Sequence, residues 1–307
     1  MPGPNSHYFF GDLFLNSFKN FTNENISFRQ AFNLGCQGPD IFFYSKKFFL
    51  FGNNFHRKHI SEPIEHMNNY ANLQNAQIKE LLHCYIKGYL THHSFDSVAH
   101  PYIFFVQFKE LKTRQLSDKF NPFLHRDIEA LIDVMLARHF LKDNFKEFVP
   151  HKYIKCSKQI KTEIAKMYSY VIYQMYEMSI SEKKIIVCLN TFELAMKLIF
   201  SPKGIKKNII RFIEHIFRIP HYFSPLFITL KKKDAIDIMN NSKKSWHNPL
   251  IEDIKFNKTF YELLDDAIIR ATREIELFEN SKDNFNAFEI TKGLCMDTGM
   301  QVEIEIN

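Results

Sequence analysis

Six stretches of this chain, residues 76–100, 123–142, 158–179, 182–200, 205–218 and 257–280, set apolar residues three and four apart. That spacing repeats once per helical turn, so each stretch reads as an amphipathic helix. The clearest is 257–280, where Phe260, Leu263, Leu264, Ala267, Ile268, Ala271 and Ile275 form one stripe. Strict alternation, the mark of a half-buried strand, occurs only at Val302-Glu303-Ile304-Glu305-Ile306. With 9 glycines and 11 prolines in 307 residues, little interrupts the helical pattern. The expected fold is all-α.

The first 60 residues are less regular, and Gly35-Cys36-Gln37-Gly38-Pro39-Asp40 reads as a tight loop. Residues 219–256, with Pro220, Pro225, Trp246 and Pro249, read as a long ordered surface loop with Trp246 as a core or interface anchor. No Ser/Gly-rich or Pro-rich linker divides the chain, and no repeat recurs. A single domain over 1–307 is therefore expected, with a metal-ligand half, 1–150, and a helical completing half, 151–307.

The net charge of +6 is mild. Lys206-Lys207, Lys231-Lys232-Lys233 and Lys243-Lys244 are scattered, which fits solvated loops or transient contact with a phosphate-rich membrane surface. Nothing matches a base-reading motif, so nucleic acid is not the expected partner. Five widely spaced cysteines without a CxxC pair argue for reduced thiols. No secretory signal and no apolar run of ~20 residues stand out, so a cytoplasmic protein without a transmembrane segment is expected.

Within the first helical stretch, His92, Asp96 and His100 follow one another at four-residue steps. Residues four apart lie nearly above one another on a helix, so these three share one stripe. Two imidazoles and a carboxylate suit a borderline-soft divalent ion, zinc above all. Pro101 follows at once and is expected to stop the helix. His125 and Glu129 repeat the four-residue step on the next predicted helix. Asp40 in its turn, His56 and His7 complete eight candidate ligands: His7, Asp40, His56, His92, Asp96, His100, His125 and Glu129. A single HxxxD among 14 histidines is weak, because an exposed His-carboxylate pair is also a mild surface stabiliser. The double step followed by a second pair is far more specific. His93 points about 100° away from His92 and is excluded. His59 is a weaker alternative ligand, and Tyr102 and Phe104-Phe105 read as core. There is no Gly-rich phosphate loop and no nucleophile elbow.

The ordered set His7, Gly38-Pro39-Asp40, His56, His92-x-x-x-Asp96-x-x-x-His100-Pro101-Tyr102 and His125-x-x-x-Glu129 resembles the zinc-dependent phospholipase C family. The likeness is to relatives of the bacterial phosphatidylcholine-preferring enzymes and of the alpha-toxin catalytic domain, and most nearly to a Firmicutes branch. That branch also carries a segment like Trp246-His247-Asn248-Pro249 before a helix like 257–280. The resemblance implies a multi-helix bundle of the phospholipase C/P1 nuclease type around a central metal site. It implies two or three zinc ions: Asp40, His56, His92 and Asp96 at the first, His100, His125 and Glu129 at the second, and His7 with a bridging Asp96 at the third. It makes Asp40 a ligand first and a general base second. The implied activity is hydrolysis of a phospholipid or other phosphodiester by metal-activated water. A single-strand nuclease-like phosphodiesterase and a non-catalytic zinc-binding protein are the alternatives. In the secreted relatives a mature N-terminal tryptophan completes the third site, whereas this chain begins Met1-Pro2. No alternating region is long enough for the toxin's C-terminal lipid-binding module.

Overall fold

The computed structural model describes residues 3–18, 25–113, 121–142, 149–219, 223–229, 236–281 and 285–304. Lys231-Lys232-Lys233, His221, Pro220, Glu305 and Ile306 lie outside the described residues. The fold is all-α. Its helices are α1 (Pro4–Ser17), α2 (Ile26–Gly35), α3 (Phe49–Arg57), α4 (Ser61–Asn72), α5 (Ala76–Thr113), α6 (Pro122–Leu141), α7 (Lys158–Tyr176), α8 (Glu182–Ile199), α9 (Ile205–Ile216), α10 (Phe260–Asn280) and α11 (Ala287–Thr291). The six periodic stretches each become a helix. Local chemistry fixes several of their ends. Thr259 and Glu262 form a reciprocal capping box at the start of α10, and Asn121 caps α6 with Pro122 in its first turn.

Where described, the less regular first 60 residues hold helices too, but in pieces of 9 to 14 residues that show too few turns to register as a period. The loop at Gly35–Asp40 is tight as expected and passes into a 3-10 turn, Gly38–Phe42, entered at Gly38 with φ +50°. Within 219–256 the described part is not only loop. A 3-10 turn spans Ser224–Leu226, and β1 (Trp246–Asn248) pairs antiparallel with β2 (Ile251–Phe256). Trp246 faces Phe256 across the register, is buried against Tyr102, and donates its indole N–H to the Lys258 carbonyl at 3.0 Å. This hairpin escaped the alternation test because β2 leaves most of its residues on the surface. The described part of 302–306 is not a strand.

Pro101 does not stop its helix. α5 runs on to Thr113, with the proline inside it. The proline removes the N–H that would serve the Ser97 carbonyl, a cost of ~3 kcal/mol in an isolated helix. Burial of both flanks offsets it: Ala99, Tyr102 and Ile103 are all in the core. The chain at Gly299, φ +65°, packs so close to that carbonyl that a Cβ would stand 2.4 Å from it. A backbone without a side chain therefore fills the space beside the proline.

α5 is the central element. It packs on α1, α2, α4, α6, α7 and α10, and on β1. One apolar core extends from Phe9 to Met296 and includes residues of every long helix except α9. The closest approach is α2 on α5. There a Cβ on Gly35 would lie 2.1 Å from the Tyr85 carbonyl, and one on Gly88 would lie 2.2 Å from the Phe32 carbonyl.

Candidate metal centre

The middle of α5 is buried on all sides, and yet Thr91, His92, His93, Ser94, Asp96, Ser97 and His100 are polar. Each buried polar group needs a partner. Thr91 donates to the Lys87 carbonyl at 2.8 Å. Ser94 donates to Glu274 of α10 at 2.8 Å. Ser97 donates to the His93 carbonyl at 2.8 Å and accepts from Arg270 at 2.7 Å. His93 has Glu274 at 3.0 Å from Nδ1 and the Leu294 carbonyl at 2.9 Å from Nε2, so it points away from the stripe as expected. What remains is the stripe itself. Both oxygens of Asp96 and Nε2 of His100 have no hydrogen-bond partner.

All eight sequence candidates converge on this stripe. Asp96 Oδ2 lies 3.2 Å from His92 Nε2, and Oδ1 lies 3.2 Å from His7 Nε2. His56 Nε2 lies 3.0 Å from Asp40 Oδ1 and 3.4 Å from His92 Nε2. His125 Nε2 lies 2.8 Å from Glu129 Oε1, and the His125 ring stacks on His100 at 5.9 Å. Three groups have ligand atoms mutually within 4.8 Å: His7, His92 and Asp96; Asp40, His56 and His92; and His100, His125 and Glu129. These groups could hold metal ions. Two ligands of one tetrahedral zinc, each at 2.0–2.1 Å, stand about 3.3 Å apart. The spacings of 3.0 to 3.4 Å around His92, His56, Asp40, His7 and Asp96 match that value.

The other ring nitrogens strengthen the fit. His92 Nδ1 donates to the Cys36 carbonyl (3.1 Å), His56 Nδ1 to the Gly52 carbonyl (2.6 Å), and His100 Nδ1 to the Met296 carbonyl (2.9 Å). His125 Nδ1 lies 2.6 Å from Gln107 Oε1. A carbonyl only accepts, so Nδ1 carries the proton and Nε2 presents a lone pair. Such outer partners orient metal-binding histidines. His7 differs, since neither of its ring nitrogens makes a hydrogen bond. Its helix is held instead from α6, where Asp133 accepts from Ser6 N–H (2.8 Å), Ser6 Oγ (2.6 Å) and Asn5 N–H (3.4 Å).

The centre opens on a cavity of about 660 Å³. Asp40, His56, His125 and Glu129 form its metal-side wall, while Phe43, Phe49, Phe104, Ile199, Leu226 and Ile228 make much of the rest apolar. Phe104 is thus a cavity residue packed on His125, unlike Tyr102, which is core as expected. Arg57, Arg126 and Asp297 also line the cavity. Arg57 pairs with Asp297, and Met296 N–H donates to the His56 carbonyl at 3.0 Å. Sequence reasoning missed Asp297, Arg57 and Gln107. None stands at a four-residue step from a ligand, and Asp297 comes from a loop nearly 200 residues from His100.

Burial sets the protonation of three of these histidines. It lowers His7 to about 4, helped by His92, and lowers His100 to about 3 and His56 in the same direction. Burial alone would raise Asp96, but His92, His100 and His7 hold it well below the usual carboxylate range. Asp40 is raised by burial. Imidazoles must be neutral to bind metal, and lowered pKa values keep them neutral to lower pH. A divalent ion held by His7 and His100 is therefore expected to stay bound well below pH 6.5 and to leave as the pH falls toward about 4. Elemental analysis after dialysis at stepped pH checks this; release near pH 6.5, the value of an ordinary histidine, would contradict it.

Other histidines lie elsewhere. His59 and His66 face Glu62 at the surface, His83 packs on Phe278, and His139 packs on Tyr261. All five cysteines are buried and free. No described helix is long and apolar enough to cross a membrane. No protein-family model, no curated protein and no solved structure matches this chain.

Proposed function

We propose that this protein is a zinc-dependent phosphodiester hydrolase of the phospholipase C type, with a di- or trinuclear centre. The observation that carries the reading is the pair His56 and His92. Each gives its Nδ1 proton to a backbone carbonyl, so two Nε2 lone pairs face each other at 3.4 Å in a buried site. Two lone pairs at that distance repel unless a cation lies between them.

His7, Asp40, His56, His92 and Asp96 would hold zinc on one side, and His100, His125 and Glu129 on the other. Zinc bound there supplies Lewis acidity toward a phosphoryl oxygen and toward water. The chain's own groups do the rest. Asp40 lines the cavity and acts as a ligand first; it accepts a proton only when it is off the metal, because a bound cation favours its ionised form. Arg57 and Arg126 offer guanidinium groups to a phosphate from the cavity wall. Phe43, Phe49, Phe104 and Ile199 exclude water and suit the apolar part of an amphiphilic substrate, which favours a phospholipid over a nucleic acid.

The test begins with zinc per chain in protein purified without chelator. One ion in each of two, or of all three, ligand groups is expected, so two or three per chain. The loaded protein should hydrolyse bis(p-nitrophenyl) phosphate and a short-chain phospholipid. Chelation should abolish both activities and zinc should restore them. No stoichiometric metal after dialysis against zinc would end the proposal. Cleavage of a single-stranded oligonucleotide in preference to the lipid would move the substrate class to nucleic acid. Bound zinc without turnover of any phosphodiester would leave a non-catalytic zinc-binding protein.

A further inference from the structure

Helix α9 is turned inside out. Its apolar stripe, Ile205, Ile209, Phe212, Ile216 and Phe217, is 54 to 69 % exposed, and the helix's one buried residue is Glu214. An amphipathic helix in a globular protein ordinarily lays its apolar stripe on the core. A contiguous exposed apolar face of this size marks a binding surface.

The charges around the stripe indicate what binds. Residues 203–218 carry Lys203, Lys206, Lys207, Arg211 and Arg218 against one carboxylate. That carboxylate, Glu214, turns inward to accept from the Phe223 N–H (2.6 Å) and the Ser224 N–H (3.1 Å). Lys206 donates to the Leu198 and Phe200 carbonyls at 3.3 and 3.2 Å, and Lys207 lies 3.6 Å from Asp127. The segment therefore presents cations and apolar side chains with no outward carboxylate of its own. A second copy of this chain would bring the same cations to the contact, because a two-fold pair joins identical patches. An anionic surface does not suffer that repulsion.

Position adds a second argument. α9 contacts the turn Ser224–Leu226, and Leu226 and Ile228 line the metal cavity. Phe49 lines the same cavity, and beside it Leu50 is 70 % exposed next to exposed Lys46 and Lys47. Apolar side chains and lysines thus recur together beside two separate stretches of the cavity lining.

We propose that this face docks on an anionic lipid bilayer, with α9 lying in the interface. Ile209, Phe212, Ile216 and Phe217 enter the acyl boundary, and Lys203, Arg211 and Arg218 meet the lipid phosphates. Docking stands on α9 and does not depend on what the metal centre hydrolyses.

The test uses the whole chain, sedimented with mixed phosphatidylglycerol–phosphatidylcholine vesicles and with phosphatidylcholine vesicles alone, at low and high salt. Binding is expected on the anionic vesicles, at least about tenfold tighter than on the neutral ones, and weakened by salt. Phe212→Ser with Ile216→Ser should weaken it at least about tenfold. Lys203→Glu with Arg211→Glu should remove the preference for anionic lipid. Both pairs are exposed, so zinc content and melting temperature should match wild type. Absence of vesicle binding, or equal binding to neutral vesicles, would overturn the proposal. So would light scattering that shows a dimer dissolved by the Phe212/Ile216 variant, since α9 would then be a contact between copies. A protein that docks yet hydrolyses nothing refutes only the enzymatic reading.

Discussion

Asp96→Asn is expected to lower bound zinc by at least one ion per chain and to lower phosphodiester hydrolysis on the order of 10³-fold or more. The two oxygens of Asp96 face different imidazoles at equal distance, 3.2 Å to His7 and 3.2 Å to His92. Neither oxygen is occupied by a hydrogen bond. Asparagine keeps the shape but leaves one neutral oxygen and puts an NH₂ where the other stood. That NH₂ can donate to an imidazole lone pair, so the fold survives while the anionic bridge is lost. Metal stabilisation of a phosphoryl transition state is worth several kcal/mol, and each 1.4 kcal/mol is tenfold in rate. Zinc is expected to raise the melting temperature of wild type, and that rise should shrink or vanish in the variant, because a ligand that no longer binds no longer stabilises. Unchanged zinc content would refute the bridging role.

Gly88→Ala is expected to destabilise the metal-free protein by about 3 kcal/mol, which is a fall in melting temperature of roughly 5–10 °C. The sign is the informative part. In an exposed helix the same change stabilises by up to ~1 kcal/mol. Here a Cβ would stand 2.2 Å from the Phe32 carbonyl and 2.8 Å from the Cys36 amide nitrogen, both backbone atoms of the α2 end. Backbone cannot rotate aside, so α2 must move off α5. The displacement reaches the metal centre, because the Cys36 carbonyl orients His92 and Asp40 follows four residues later. Zinc affinity should fall with stability. Thermal melting in chelator and a zinc titration check the two effects, and a melting temperature at or above wild type would refute the close-packing argument.

Much of the candidate centre is legible because helical periodicity is local. His92, Asp96 and His100 lie on one stripe whatever the rest of the chain does, and so do His125 and Glu129. Asp40, His56 and His7 entered the same set through the order of residues, and the structure brings them to the stripe. The sequence also excluded His93 correctly, since its direction on α5 follows from the turn angle alone.

Other features depend on contacts between distant segments. Pro101 should have ended α5, but Gly299 and the surrounding core hold the helix together across it. Asp297 and the Met296 carbonyl reach the site from the C-terminal end, with no spacing relation to the residues they serve. The stripe of α9 was legible as amphipathic, but its orientation was not. A periodic pattern says that one face is apolar, while only packing decides whether that face meets the core or the solvent.

By itself, the sequence determined the helical class, the positions of the long helices and the stripes of candidate ligands on two of them, because each follows from residue type at 3.6-residue spacing. The tertiary structure alone decided that three candidate ligand groups come together, that the Met296 carbonyl orients His100, and that Phe43, Phe49, Phe104, Ile199, Leu226 and Ile228 line one cavity. Those are properties of close approach between chain segments far apart in sequence, where burial and backbone packing, rather than local propensity, determine which groups meet.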